Sequence, residues 1–296
     1  MQDQVESLRK NEPKVISVLS GKGGVGKSIL AVNLALAFQK RNFKILLFDA
    51  DVGFGSVEIL LGTVAPRTLK DFFKSGLKIE DIVYKSPYDV DVISSGIDIE
   101  DLLLFNLGDK KRFFDSFSRI LRSYDYVIVD FPPGYNENLD KFYLNSDYLI
   151  IVTTEEPTSI INTYTLIKVL SVKGVNPEEI FLVLNMVRNM KEGRKVVERL
   201  KNVVERFVGV PIRHFFIVKE DSVVQKSVER QKPFLLWAEK SQPSLVVLGL
   251  REKILKESVE REREGFLDQI RHLLGIGGRL VQFCVETVAA RAVLKP

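Results

Sequence analysis

Apolar positions along the chain come in two rhythms. Short runs in which nearly every residue is apolar, VISVL, ILLF, YVIVD, YLIIV and IFLVL, are separated by longer stretches with apolar residues three and four apart. The first rhythm belongs to strands buried on both faces and the second to helices with one covered side. The pattern predicts strands at 14–19, 44–48, 90–93, 126–130, 148–153, 180–184 and 214–218. Strand and helix alternate, and right-handed crossovers join such units into a doubly wound α/β fold, a mostly parallel sheet with helices on both faces. Ligands of such sheets bind beyond the carboxyl ends of the strands, so the residues that follow each run are the candidates for chemistry.

The first run is followed by Ser20-Gly21-Lys22-Gly23-Gly24-Val25-Gly26-Lys27-Ser28. Gly21 to Ser28 satisfies G-x-x-x-x-G-K-[ST] in full, after a strand and at the start of a helix, which is the context a phosphate loop requires. Glycines leave backbone N–H groups free to curl around phosphate oxygens, and the helix N-terminus adds partial positive charge. Lys27 is placed to reach the β- and γ-phosphates, and Ser28 to put its hydroxyl on Mg²⁺. The chain from Gly21 through Lys22, Gly23, Gly24, Val25, Gly26, Lys27 and Ser28 to Ile29 is therefore the expected nucleotide contact. Two acidic stretches stand where phosphate chemistry needs carboxylates: Asp49-Ala50-Asp51 after KILLF, and Asp130, which ends YVIVD and precedes Phe131-Pro132-Pro133-Gly134. Oxygen donors of this kind suit Mg²⁺.

Composition narrows the setting. The 296 residues are 28% charged and 45% hydrophobic, which is ordinary for a globular protein, and a net charge of +4 does not call for a nucleic-acid partner. Cys284 is the single cysteine, so neither a disulfide framework nor a cysteine metal cluster forms within one chain. MQDQVESLRK lacks the apolar core of a signal peptide, and no run approaches the roughly 18 apolar residues of a membrane span. A cytoplasmic protein is expected. Composition shifts after about Lys256, and Glu and Arg alternate from Glu260 to Arg263. This divides the chain into an N-terminal segment 1–12, an α/β domain 13–257 and a tail 258–296.

GKGGVGKS, with its second lysine at Lys22, resembles the deviant Walker A loop of the MinD/ParA ATPases. The resemblance implies ATP and ADP as ligands with Mg²⁺, slow hydrolysis, and a nucleotide-sandwich homodimer in which Lys22 reaches the partner's phosphates. It makes Lys22, Lys27 and Asp51 the catalytic set, with Asp51 orienting the attacking water. Ser28, Asp49 and Asp130 hold the Mg²⁺ shell, although the sequence leaves the roles of Asp49 and Asp51 exchangeable. Asn185, at the end of IFLVLN, sits where the family places an adenine-reading amide. Two positions depart from the family pattern: Ser56 stands where Asn is usual, and Phe131 where switch II usually carries Thr. Both bear on turnover and switch coupling rather than on nucleotide binding.

Three segments resemble the FlhG class within that family. Asp3-Gln4-Val5-Glu6-Ser7-Leu8-Arg9 is similar to its D-Q-A-x-x-L-R motif, which implies that Asp3, Gln4, Leu8 and Arg9 bind the signal-recognition-type flagellar GTPase FlhF and stimulate it. Thr153-Thr154-Glu155-Glu156-Pro157-Thr158-Ser159-Ile160 is similar to V-T-T-P-E-P-T-S-I, with Glu155 replacing the first Pro; it equally reads as a helix start with no ligand. Asp221-Ser222-Val223-Val224 through Pro233-Phe234 resembles the segment before the last core helix. In the tail, Phe266, Leu267, Ile270, Leu273 and Leu274 form one helical stripe at about 264–276, with arginines beside it. Such a helix suits an anionic membrane surface or a groove on its own core. The family implies both in turn, and so a protein reversibly peripheral to the inner face of the cell membrane. Residues 278–296 extend beyond the pattern.

The resemblance implies a switch that regulates flagellar number and placement, acting also on flagellar switch (C-ring) components or on a flagellar transcription regulator. The alternatives are a MinD-type division-site ATPase, a ParA-type partitioning ATPase, which would need a basic DNA face and no membrane tail, and an adaptor that binds ATP without hydrolysing it.

Overall fold

The computed structural model describes residues 12–257 apart from 52–55, 98–105, 177–178 and 210, together with Arg271 and Gly275. The strands are β1 (Lys14–Ser20), β2 (Ile45–Asp49), β3 (Tyr84–Lys85), β4 (Asp91–Ser94), β5 (Tyr126–Asp130), β6 (Tyr148–Thr154), β7 (Ile180–Val187) and β8 (His214–Lys219). They form one sheet in the order β3-β4-β2-β5-β1-β6-β7-β8. Every pairing is parallel except β3 with β4. The helices are α1 (Lys27–Gln39), α2 (Ser56–Leu61), α3 (Leu69–Ser75), α4 (Leu107–Leu121), α5 (Asp140–Asn145), α6 (Pro157–Val172), α7 (Met190–Val208), α8 (Ser222–Glu229) and α9 (Gln242–Lys256).

The all-apolar runs are explained by two cores, one on each face of the sheet. Val15 and Leu19 of β1, Leu46 and Phe48 of β2, and Leu149 and Ile151 of β6 point to the side covered by α3 to α7. Their neighbours Ile16, Val18, Ile45, Leu47, Ile150 and Val152 point to the side covered by α1 and α9. Side chains alternate across a strand, so a strand sandwiched between helices has no polar face. Asn33 ties the second layer together: its Nδ2 donates to Ile29 O at 2.8 Å and its Oδ1 accepts from Leu235 N at 3.1 Å.

All seven expected strands are present, β5 with the expected bounds and the others with one or both ends shifted. Strand β2 begins one residue later than expected and takes in Asp49; β7 runs on through a register irregularity between Leu184 and Val187. The two-residue antiparallel β3 at the sheet edge is an addition, too short to show a period. No helix among the described residues is long and apolar enough to cross a membrane.

Candidate nucleotide-binding site

Strand register assembles the site. In the β1–β5 pairing Val18 lies opposite Asp130, and in the β2–β5 pairing Asp49 lies opposite Asp130. The carboxyl ends of β1, β2 and β5 therefore meet at one edge, where the chain leaves Ser20 and turns back into α1. Gly26 caps α1 in the left-handed region, φ 89°, with the side-chain amide of Asn185 where a Cβ would go. A Cβ on Gly21 would stand 2.6 Å from the carbonyl carbon of Asn162 in α6. Neither position accepts a side chain without moving the loop.

Charge is concentrated beneath the loop. Lys27, almost fully buried, donates to Asp130 Oδ1 at 2.7 Å and lies 3.5 Å from Asp51 Oδ2. Asp130 is fully buried; burial raises its pKa, and the Lys27 ammonium and the Ser28 hydroxyl act against that rise. Asp49 is 1% exposed, and burial, with the neighbouring Asp130 charge, pushes its carboxyl up to about 7. The Oδ2 atoms of Asp49 and Asp130 are both buried with no hydrogen-bond partner. Two orphaned carboxylate oxygens beside a serine hydroxyl form an all-oxygen donor set short of positive charge, and this fits a hard divalent cation such as Mg²⁺.

Above the carboxylates opens a cavity of about 340 Å³. Gly24, Lys27, Ser28, Ile29, Asp51 and Pro133 are part of its wall. Asp51 is thus the acid of its pair that faces the cavity, while Asp49 lies under it. Both departures are accommodated. Ser56 lines the cavity from the start of α2. Phe131 points the other way, fully buried, with its ring 5.1 Å from Tyr143 and 6.2 Å from Phe142 of α5. Its amide donates to Val18 O and that of Gly134 to Ser20 O, so the 131–134 turn stays hydrogen-bonded to β1.

The two lysines of the loop are treated differently. Lys22 stays out of the carboxylate cluster and pairs with Glu156, the residue before α6, both side chains substantially exposed. Asn185 donates from Nδ2 to Val25 O at 2.8 Å, which fastens the end of β7 to the loop. Asp3, Gln4, Leu8, Arg9, Phe266, Leu267, Ile270, Leu273 and Leu274 lie outside the described residues. Arg271 is described, its guanidinium 5.8 Å from the ring centroid of Phe114 in α4.

Sequence reasoning assigned no site role to Glu156, Met186, Ile59 or Val228, although Glu156 lies in the 153–160 segment and Val228 in the 221–234 segment. Glu156 is the partner of Lys22, and the other three line the cavity. Met186 directly follows Asn185, whereas Ile59 comes from an element far from the loop in the chain.

Comparison with known proteins gives the family and the fold. Residues 13–176 match the family described as an AAA domain (AAA_31). The antiactivator FleN of Pseudomonas aeruginosa is 29% identical over 241 residues, 81% of this chain and 86% of that one. The flagellum site-determining protein YlxH of Helicobacter pylori is 32% identical over 228 residues, 76% of each chain. Among solved structures, the septum site-determining protein MinD of Pyrococcus horikoshii in complex with Mg-ADP superposes with a TM-score of 0.63 at 21% identity, over 83% of this chain and all of that one. At that identity the likeness establishes the fold. The loop, its buried lysine and carboxylates, and the two flagellar relatives together place the chain in the MinD/ParA-like P-loop ATPase family, in the group that contains YlxH and FleN.

Proposed function

We propose that the chain is an ATP-driven dimerising switch that cycles on and off the inner face of the cell membrane and regulates flagellar number and placement. The observation that carries the reading is the division of labour between the loop lysines. Lys27 is committed to the chain's own carboxylates, whereas Lys22 is held at the rim by an exposed ion pair, and exposed pairs are weak. A lysine so placed is available to a second subunit's phosphates. The loop from Gly21 to Ile29 binds ATP or ADP, with Asn185 at the base. Ser28, Asp49 and Asp130 hold Mg²⁺, which neutralises phosphate charge when bound. Asp51, facing the cavity, orients a water for slow hydrolysis, which returns the monomer. Segment 1–12 stimulates the flagellar GTPase FlhF through Asp3, Gln4, Leu8 and Arg9. Domain 13–257 is the switch, and the 264–276 helix of tail 258–296 engages anionic lipid when two copies pair. Flagellar switch components or a flagellar transcription regulator receive the output. The names of the H. pylori and P. aeruginosa relatives support the flagellar assignment over division-site placement.

The test is GTP hydrolysis by the cognate flagellar GTPase with and without a peptide of residues 1–20. Stimulation that is lost in the Gln4→Ala and Leu8→Ala peptides is expected. No stimulation at saturating peptide would remove the FlhF assignment and make division-site placement the leading role.

A further inference from the structure

The end of β7 is folded in a way the phosphate loop does not require. Met186 has φ 58°, the left-handed region, in a strand whose pairing to β8 slips between Leu184 and Val187. A methionine there is strained, and such strain persists only where the surroundings hold it. Three elements do so. The carboxylate of Glu155, after β6, accepts from Arg188 N at 3.2 Å. Glu220, after β8, donates from its backbone N to Val187 O at 2.9 Å. Gly193 of α7 packs so close that a Cβ on it would stand 2.6 Å from Val187 Cγ1. The result turns Asn185 onto the loop carbonyl of Val25 and leaves the Met186 side chain, 39% exposed, on the wall of the cavity that Lys27 and Ser28 also line. The strand end that leads to Glu155 is held, because Ser159 Oγ accepts from Thr154 N at 3.1 Å and meets Thr153 Oγ1 at 2.9 Å.

We propose that Glu155 is a positioning residue for the base end of the nucleotide site, holding the left-handed turn that presents Asn185 and the thioether of Met186 to a purine ring. Glu155 occupies the position where the similar family segment carries Pro, and a proline there has no side-chain acceptor for the Arg188 amide. Asn185 spends one N–H on Val25 and keeps a second N–H and its carbonyl oxygen, the donor and acceptor pair an adenine edge asks for. Met186 offers a polarisable apolar surface, which makes favourable contact with aromatic rings. The inference rests on the nucleotide reading above.

Calorimetric titration of the full chain with ATP and with inorganic tripolyphosphate, which lacks a base, separates the two. Wild type that binds neither removes the nucleotide reading itself, before any variant is made. With that reading intact, Glu155→Ala is expected to weaken ATP about five- to tenfold, the loss of one hydrogen bond that orders the turn, with tripolyphosphate affinity unchanged. Glu155→Gln retains an acceptor oxygen and is expected to bind ATP like wild type. Met186→Gly, which relieves the left-handed strain and so folds at least as well, is expected to weaken ATP several-fold and leave tripolyphosphate alone. Unchanged ATP affinity in Glu155→Ala, equal loss of ATP and tripolyphosphate, or a Gln variant as weak as the Ala variant would each overturn the proposal.

Discussion

Asp49→Asn is expected to stabilise the nucleotide-free protein at alkaline pH. Asp49 sits 1% exposed beside Asp130, and its carboxyl is raised from an ordinary 3.8 to about 7, chiefly by burial and next by the Asp130 charge. A carboxyl that holds its proton more tightly in the folded state favours folding at low pH. Its contribution is fully present below the unfolded value of 3.8 and is lost as pH rises towards and through about 7. Between about pH 5.5 and about pH 8.5 the unfolded side chain is ionised throughout while the folded one gives up its proton, which costs about 2 kcal/mol. A domain of this size moves about 2–4 °C in Tm per kcal/mol, so the wild type should lose about 4–8 °C over that range through this group alone. Other groups titrate in the same window. The His214 imidazole, lowered by burial first and then by the Lys253 and Arg213 charges, contributes a slope of the opposite sign, because its folded form resists protonation as pH falls. The His214 contribution is common to wild type and variant, so the difference between the two curves reports Asp49 together with its coupling to Asp130.

Calorimetric unfolding of both proteins without nucleotide, in steps from pH 5.5 to 8.5, is the assay. The curves should run close together at the acid end and separate as pH rises, with the asparagine variant the more stable at pH 8.5. Saturating Mg²⁺ and ADP should reverse the order, since the wild type gains a cation that neutralises its two carboxylates and the variant loses a donor. Parallel curves, or a variant less stable than wild type at pH 8.5, would refute the claim that the site is a charge imbalance awaiting a cation.

Three other substitutions test separate parts of the molecule. Lys22→Ala should leave Tm and ADP affinity unchanged, since it removes only an exposed ion pair, while light scattering shows loss of the ATP-dependent dimer; a variant that still dimerises with ATP would contradict the role given to Lys22. Asp51→Ala should keep nucleotide affinity within about twofold and slow single-turnover phosphate release by about a hundredfold or more, the size of a lost water-orienting group. Phe131→Ala should cost about 3–5 kcal/mol in urea unfolding, because a fully buried ring leaves a cavity against Phe142 and Tyr143; a cost under about 1 kcal/mol would mean that the ring is not packed as described.

The sequence made visible what is local. The phosphate loop is eight consecutive residues, and its glycines are dictated by backbone shape, so Gly21 to Ser28 could be read directly and Gly26 is indeed left-handed. Asp130 ends an all-apolar strand, and a strand end has few places to point. The distinction between Asp49 and Asp51 was not local. It depends on β2 lying beside β5 with Asp49 opposite Asp130, a pairing between residues 81 positions apart, and that pairing buries one acid and leaves the next but one at the cavity. The direction of Phe131 depends likewise on α5 lying beneath it, and the partner of Lys22 is 134 residues away. The left-handed angle of Met186 could not be read locally, because it is held by Glu155, Glu220 and Gly193 from three elements outside β7.

The residues that these long-range contacts place share a physical character. The buried carboxylates Asp49 and Asp130 face one buried ammonium, and two of their oxygens have no hydrogen bond. An arrangement selected only for stability would have paired or removed them, since burying an unpaired carboxylate costs several kcal/mol where a neutral side chain of similar shape costs little. Retained strain at Met186 points the same way. The site is the part of the molecule where local preference and burial energetics are both overruled, and ligand binding is the event that would restore the balance: a cation on the orphaned oxygens, phosphates over Lys27 and the loop amides, and a ring against the strained turn. On that view the nucleotide-free protein is the state out of balance, and the free energy released when the imbalance is relieved is available to bring a second copy to Lys22.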